Sequence, residues 1–211
     1  MPLTTAHPEP SMLRMPRDAA STEDAGQSLS ELTEARLIGR VATGELQAFE
    51  QLYHTYHPRL TRFLDRVTRR PGLVGELLND TMLVVWNRAA SYNGHCKVST
   101  WVFAIAYRKA MKALARWDEP VEGDGSDDCV PPETGPEQRL AQAQLRARLL
   151  RALGDLSAEQ RAVVALTYLH GIGYREIAEI VGCPVDTVKT RMFHARRRLK
   201  TLLAGSLEDW L

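Results

Sequence analysis

Cysteine is scarce in this 211-residue chain: Cys96, Cys129 and Cys183 are the three present, far apart and in no CxxC pair. That spacing supports neither a disulfide framework nor a cysteine-built zinc site and leaves free thiols as the expectation. No apolar run approaches the ~20 residues of a membrane-spanning helix, so no membrane insertion is expected. Met1 to Gly26 carries prolines and charges where a signal peptide needs an apolar core, which makes a cytoplasmic location the expectation. Catalytic patterns are lacking as well. His54 and His57 lie three apart on an apolar-rich run with no matching carboxylate motif, so they read as packing or surface residues. His194 has no partners nearby that would make it a metal ligand. No enzyme, cofactor or metal site is expected.

What the chain does have is charge, unevenly placed. The formal net charge of +1 conceals four segments of alternating sign. Residues 1–30 hold two bases and four acids; residues 31–116 hold 13 bases and 7 acids. The stretch 117–138, WDEPVEGDGSDDCVPPETGPEQ, holds 8 acids and no base, and residues 139–211 hold 12 bases and 7 acids. Two basic modules flank an acidic string, and basic modules suit a polyanionic partner.

Residues 1–30 are rich in Pro, Ser, Thr and Ala without sustained apolar periodicity and read as a mobile tail. The acidic string combines Gly, Pro and like charges, so it reads as a flexible linker. At ~5–6 Å × √n its root-mean-square span is roughly 26 Å, and charge repulsion lengthens it. Between tail and linker, apolar residues recur at helical spacing. Leu46, Phe49, Leu52, Tyr53 and Tyr56 form one run, and Leu60, Phe63, Leu64 and Val67 a second. Leu77, Leu78, Met82, Val85 and Trp86 form a third, and Trp101, Ile105, Met111 and Leu114 a fourth. Pro58, Pro71-Gly72 and Asn93-Gly94 punctuate them, giving about four helices and no strand. In the second module, helices are predicted over Leu140–Leu153, Ser157–His170, Tyr174–Val181 and Val185–Leu203. Ser157-Ala-Glu-Gln160 matches a capping box. The expected fold is all-α: helical domains over 31–116 and 139–205, joined by the flexible linker over 117–138.

The segment YREIAEIVGCPVDTVKTRMFHARRRL, Tyr174 to Leu199, has the arrangement of a helix-turn-helix. Ala178 is small where two helices cross, Gly182 permits a left-handed turn and Pro184 suits a helix start. On the last helix Val185, Val188, Met192, Ala195 and Leu199 share one face and pack inward. Asp186, Thr187, Lys189, Thr190, Phe193, His194 and Arg197 are the candidate DNA-facing residues. In a major groove Lys189 would reach guanine O6 or N7, Thr190 a donor or acceptor, and Phe193 a thymine methyl. Arg191, Arg196, Arg197, Arg198 and Lys200 would meet phosphates.

These residues resemble a known family, the bacterial RNA polymerase sigma factors of the extracytoplasmic-function group (sigma-70 family). The helix-turn-helix is similar to their second domain. Ala48-Phe-Glu-Gln-Leu-Tyr53 with Pro58-Arg-Leu60 resembles their opening helix. Asp80-Thr-Met-Leu-Val-Val-Trp86 resembles the polymerase-docking helix, and Ser99-Thr-Trp-Val-Phe-Ala-Ile-Ala106 the promoter-melting helix. The resemblance implies that the first domain docks on the clamp of the largest subunit of core RNA polymerase through Glu76, Leu77, Asp80, Met82, Leu83 and Trp86. It implies a loop, Tyr92-Asn-Gly-His-Cys-Lys97, that takes a flipped base of the minus-ten promoter element, with Asn93 and Lys97 as polar readers and Gly94 allowing the sharp backbone. Trp101, Arg108, Lys109 and Lys112 follow as aromatic and cationic contacts to the melted strand, although Trp101 also suits a core position. The second domain is implied to read the minus-thirty-five element as duplex promoter DNA and to lean on the flap of the second-largest subunit. An anti-sigma factor is the family's usual control.

One segment departs from the family. The docking helix usually opens with a cluster of acids, yet here Leu73 and Gly75 stand where acids are common, and Glu76 and Asp80 remain. Docking is then carried by Leu77, Leu78, Met82 and Trp86, or the missing charge is supplied by a kinase at Thr81 or Thr68, since a phosphate adds about −1.5 to −2 charge. The rival from another class is a dimeric helix-turn-helix repressor or activator that reads a palindrome without polymerase. The aromatic and basic helix over residues 99–112 favours the sigma reading.

Overall fold

The computed structural model describes residues 31–116 and 147–204. The tail over 1–30, the linker over 117–138, the start of the second module at 139–146 and residues 205–211 lie outside the described residues. The described residues are all-α. Helix α1 covers residues 31–42, α2 Leu46–Thr68, α3 Pro71–Arg88 and α4 Val98–Arg116, with a 3-10 turn at Ala89–Ser91. In the second group α5 covers residues 147–154, α6 Ala158–Tyr168, α7 Tyr174–Val181 and α8 Val185–Ala204.

The two apolar runs flanking Pro58 belong to one helix. α2 passes through the proline because Ala48, Leu52, Tyr56, Leu60, Phe63, Leu64 and Val67 form a continuous buried face, while Pro58 is exposed. The carbonyl it leaves without a donor lies a turn earlier, and burial of that stripe outweighs the ~3 kcal/mol a helix-interior proline costs. α2 ends at Arg69, whose φ of 53° is left-handed and whose N–H bonds the Asp65 carbonyl at 2.9 Å. Pro71 then starts α3 at a position where its missing N–H costs nothing.

In the second group the capping box is present: Ser157 Oγ accepts from the Gln160 N–H at 3.3 Å, and Gln160 Oε1 accepts from the Ser157 N–H at 3.1 Å. Gly182, at φ 67°, closes α7, and the Pro184 carbonyl accepts the first N–H groups of α8, from Thr187 and Val188. Val188, Met192 and Ala195 are buried as the α8 periodicity requires, with Val185 and Leu199 half-buried.

The two groups pack on each other. α6 lies along α2, α7 lies along α4, and a single apolar core runs from Leu37 in α1 to Ala195 in α8. No described helix is long and apolar enough to cross a membrane.

Candidate nucleic-acid and polymerase interface

The helix-turn-helix presents its candidate reading face to solvent. Asp186, Lys189, Thr190, Phe193, His194 and Arg197 are exposed, Phe193 at 62%, which is far more than an apolar ring keeps when packing decides its place. Lys189 Nζ is 3.0 Å from Asp186 Oδ1 one turn earlier, and the Thr190 hydroxyl donates to the Asp186 carbonyl at 2.8 Å. Thr187 is half-buried beside them. Both sides of the Lys189–Asp186 pair are open to water, so the pair is weak and the ammonium is available to a stronger acceptor.

Two of the predicted phosphate contacts are engaged inside the molecule instead. Arg196 donates from Nε to the Tyr168 hydroxyl at 3.0 Å, its guanidinium 5.8 Å from that ring. Arg191 lies half-buried with Nη1 3.8 Å from Cys183 Sγ and faces Tyr107 of α4. Burial pushes the Tyr107 phenol up, and the Arg191 guanidinium pulls it the other way.

The loop before α4 is pinned. The Tyr92 hydroxyl donates to the Cys96 carbonyl at 2.5 Å, Asn93 Oδ1 accepts from the His95 N–H at 3.1 Å, and Gly94 takes the left-handed φ of 74° that the sequence predicts. Asn93 and Gly94 are exposed, while Trp101 is half-buried with its ring 5.6 Å from that of Tyr92. Lys97 is not open: its Nζ is 2.8 Å from Glu31 Oε1 and 2.9 Å from Glu176 Oε1, and hydrogen bonds to these carboxylates push its pKa up. Arg108 and Lys112 are exposed, and Lys109 reaches back to Asp80 Oδ2 at 2.7 Å. That ion pair joins a residue expected to touch the melted strand to one expected to touch polymerase.

The predicted docking set divides. Leu77 and Met82 are 6% and 1% exposed and belong to the core, because α3 is covered by α2 on that side. Leu78 is buried with them. Glu76 is exposed, Asp80 and Trp86 are half-buried, and Leu83 is 57% exposed. The surface that remains is a groove of about 320 Å³ whose wall on α2 is Leu46, Phe49 and Tyr53, and on α3 Leu83 and Trp86, over a floor of Met82. Phe49 meets Trp86 edge-on at 5.1 Å. Leu46, Phe49 and Tyr53 belong to the first apolar run that the sequence sets at helical spacing. Their aromatic pair one turn apart is also what a docking face carries, and periodicity does not separate that role from a core one.

The phosphorylation sites need correction. Thr81 is fully buried and Thr68 is 3% exposed, and their hydroxyls donate to the Leu77 and Leu64 carbonyls at 2.6 and 2.8 Å. A kinase has no access to either in this packing. The short polar side chain satisfied within its own helix accounts for both. Among the described residues no group of three His, Cys, Asp or Glu side chains stands close enough to hold a metal.

The described residues thus carry an exposed helix-turn-helix face, a pinned loop leading into an aromatic and basic helix, and an apolar groove between α2 and α3. Residues 52–118 match the model of sigma-70 region 2, and residues 146–199 match that of sigma-70 region 4. The chain belongs to the sigma-70 family, in its extracytoplasmic-function group, whose members act with RNA polymerase in promoter-directed transcription. It is similar to the ECF RNA polymerase sigma-E factor of Haemophilus influenzae, 26% identical over 180 residues, which span 81% of this chain and 95% of that protein. The sigma-E factor of Salmonella typhi is 27% identical over 179 residues, 80% of this chain and 93% of that one. Two solved structures share the fold. CnrH in complex with the cytosolic domain of CnrY has a TM-score of 0.61 at 23% identity, over 82% of this chain and 99% of that one. The sigma factor RpoE of Bartonella quintana, in complex with the anti-sigma factor NepR, has a TM-score of 0.62 at 23% identity, over 75% and 98%.

Proposed function

We propose that the chain directs core RNA polymerase to promoters by reading two elements in two physical states. The second module, residues 139–205, reads the minus-thirty-five element as duplex. Lys189, Thr190 and Phe193 meet base edges, and Arg197 with its neighbours meets phosphates. The first module, residues 31–116, holds the minus-ten element as a single strand. The Tyr92–Lys97 loop receives a flipped base, and Arg108 and Lys112 neutralise the backbone. Unstacking costs a few kcal/mol per step, which a base pocket and stacking surfaces offset. The groove lined by Phe49, Tyr53, Leu83 and Trp86 is the polymerase-docking surface, apolar where the acidic opening of the family's docking helix is reduced. The acidic linker over 117–138 spans the gap between the modules on DNA, and the protein works in the cytoplasm.

The observation that carries this reading is the solvent exposure of Asp186, Lys189, Thr190, Phe193, His194 and Arg197 on a helix whose Val188, Met192 and Ala195 are buried. The complex of the Bartonella quintana sigma factor with the anti-sigma factor NepR also supports an anti-sigma factor as this chain's partner. Transcription in vitro with purified core polymerase on a pool of promoter fragments tests the proposal. Start sites that depend on the protein are expected, and their absence, together with DNA binding to palindromes in the absence of polymerase, would refute it.

A further inference from the structure

Helix α1, residues 31–42, precedes the segment that matches sigma-70 region 2, which begins at residue 52. Leu37, Ile38 and Val41 are buried and fasten it to the core of the first module. Its polar side is fixed as firmly. Glu34 is 9% exposed, and its carboxylate accepts from the Tyr56 hydroxyl at 2.6 Å and from Arg59 Nη1 at 3.4 Å, both on α2. A buried carboxylate answered by two donors cannot turn away without leaving a charge unpaired, so it sets the roll of α1 on α2. Glu31 stands three residues earlier on the same helix face, and its Oε1 lies 2.8 Å from Lys97 Nζ at the end of the Tyr92–Lys97 loop. Both carboxylates act on that loop. Burial pushes the Tyr92 phenol up, with Cys96, Glu34 and Glu31 adding to the rise in that order.

Lys97 has two carboxylates on it, and they differ in their attachment. Glu176 belongs to α7 of the second module, so a promoter that takes the two modules to separate elements takes Glu176 away from the loop. Glu31 shares a module with Lys97 and stays. We propose that Glu31 is a specificity-determining positioning residue for the minus-ten element: its carboxylate holds the Lys97 ammonium beside the loop as a base reader and keeps it off the phosphates. The physical reason is charge. A free ammonium beside single-stranded DNA is drawn to phosphate, where every sequence is alike, whereas one already paired with a carboxylate gains more from a directional bond to a base acceptor. The two side chains of the pair are 39% and 42% exposed, so the pair steers the ammonium without locking it. The inference rests on the reading of Tyr92–Lys97 as a minus-ten contact, and the experiment separates the two.

Holoenzyme assembled from core polymerase and the full chain maps start sites on a promoter pool randomised through the minus-ten element, and binding of a single-stranded pool to that holoenzyme is titrated with salt. Glu31→Gln keeps the shape and a hydrogen-bond acceptor and drops the charge. It is expected to flatten the base preference at one minus-ten position about fivefold. It is also expected to steepen the salt slope of binding by about 0.7, as Lys97 gains a phosphate. Lys97→Ala is expected to flatten the same position without a steeper slope, and Glu31→Gln to have no further effect in that background. An unchanged preference or an unchanged salt slope in Glu31→Gln overturns the proposal, as do two losses that add in the double variant. A uniform loss on every sequence, matched by a fall in thermal stability, overturns it too, because Glu31 is then a structural strut. Lys97→Ala with every preference intact refutes the minus-ten reading of the loop and the positioning role with it. Flattening by Lys97→Ala alone refutes the positioning role and leaves that reading standing.

Discussion

On α8 the candidate readers Lys189, Phe193, His194 and Arg197 stand in solvent, and Lys189 has only its own Asp186 for company. At the turn into α4, Lys97 is held by Glu31 and by Glu176 of the other module, while the neighbouring Asn93 and Gly94 stay open. The reading helix is supported from behind by Val188, Met192 and Ala195, so its outer face has no packing duty. The loop is held instead by its own hydrogen bonds and by Tyr92 against Trp101. Its cation lies at the seam between two helical groups, where a carboxylate from the opposite side reaches it. The proposed duplex-reading face thus stands open, whereas the proposed strand-binding face shares its charge with the fold.

The largest way to break this contrast is at the seam's apolar foundation. Phe103→Ala removes a fully buried ring packed on Phe63 at 5.3 Å and on His170. A loss of ~3–5 kcal/mol in denaturant unfolding is expected. Lys189→Ala sharpens the contrast from the other side: discrimination at one upstream base pair falls by ~1–3 kcal/mol in duplex competition assays, with no change in module separation. Base readout by Lys189 is ruled out if every sequence loses affinity equally. Ser157→Ala removes the Oγ that caps α6 and costs about 1 kcal/mol of unfolding stability. Arg197→Ala, exposed where Arg196 is tied to Tyr168, weakens binding to all duplexes alike and reduces the salt slope by about 1 in a titration with salt.

A further test is a pH dependence. Burial between the two modules, reinforced by Arg59 and Arg62, depresses the His170 pKa from 6.5 to about 4. The packed ring is neutral and the released ring takes a proton first. Stability from this contact is therefore fully present above pH 6.5 and is lost as pH falls toward 4. His170→Phe fills the same aromatic niche without a proton, and a flatter unfolding profile over that window is the expected result; an unchanged slope assigns the pH dependence to other groups.

Local chemistry made much of this legible. The capping box at Ser157, the left-handed Gly182 and Gly94, and the inward stripe of α8 each depend on residues within a turn or two, so spacing alone locates them. Pro58 misled because proline chemistry describes a lost hydrogen bond but not how much buried surface stands on either side. Leu77 and Met82 looked like a docking face, and Thr81 and Thr68 looked like modification sites, for a related reason. Helical period says which residues share a face and leaves open which neighbour covers it.

By itself the sequence determined α3, α4 and α6 to α8, the turn between α7 and α8, the side of α8 that faces outward and the family, but neither α1 nor the continuity of α2 through Pro58. All of these follow from contacts between residues near in the chain, where period and turn geometry decide. Only the tertiary structure decided that Arg161 answers the end of α2, that His170 enters between Phe63 and Phe103, and that Glu176 takes Lys97. Those partners are 94 residues apart in the first case, and no local rule links a helix-end carbonyl to a guanidinium so distant. Their pairing arises from the docking of one apolar face on another, which brings unsatisfied polar groups within reach only after the core has formed.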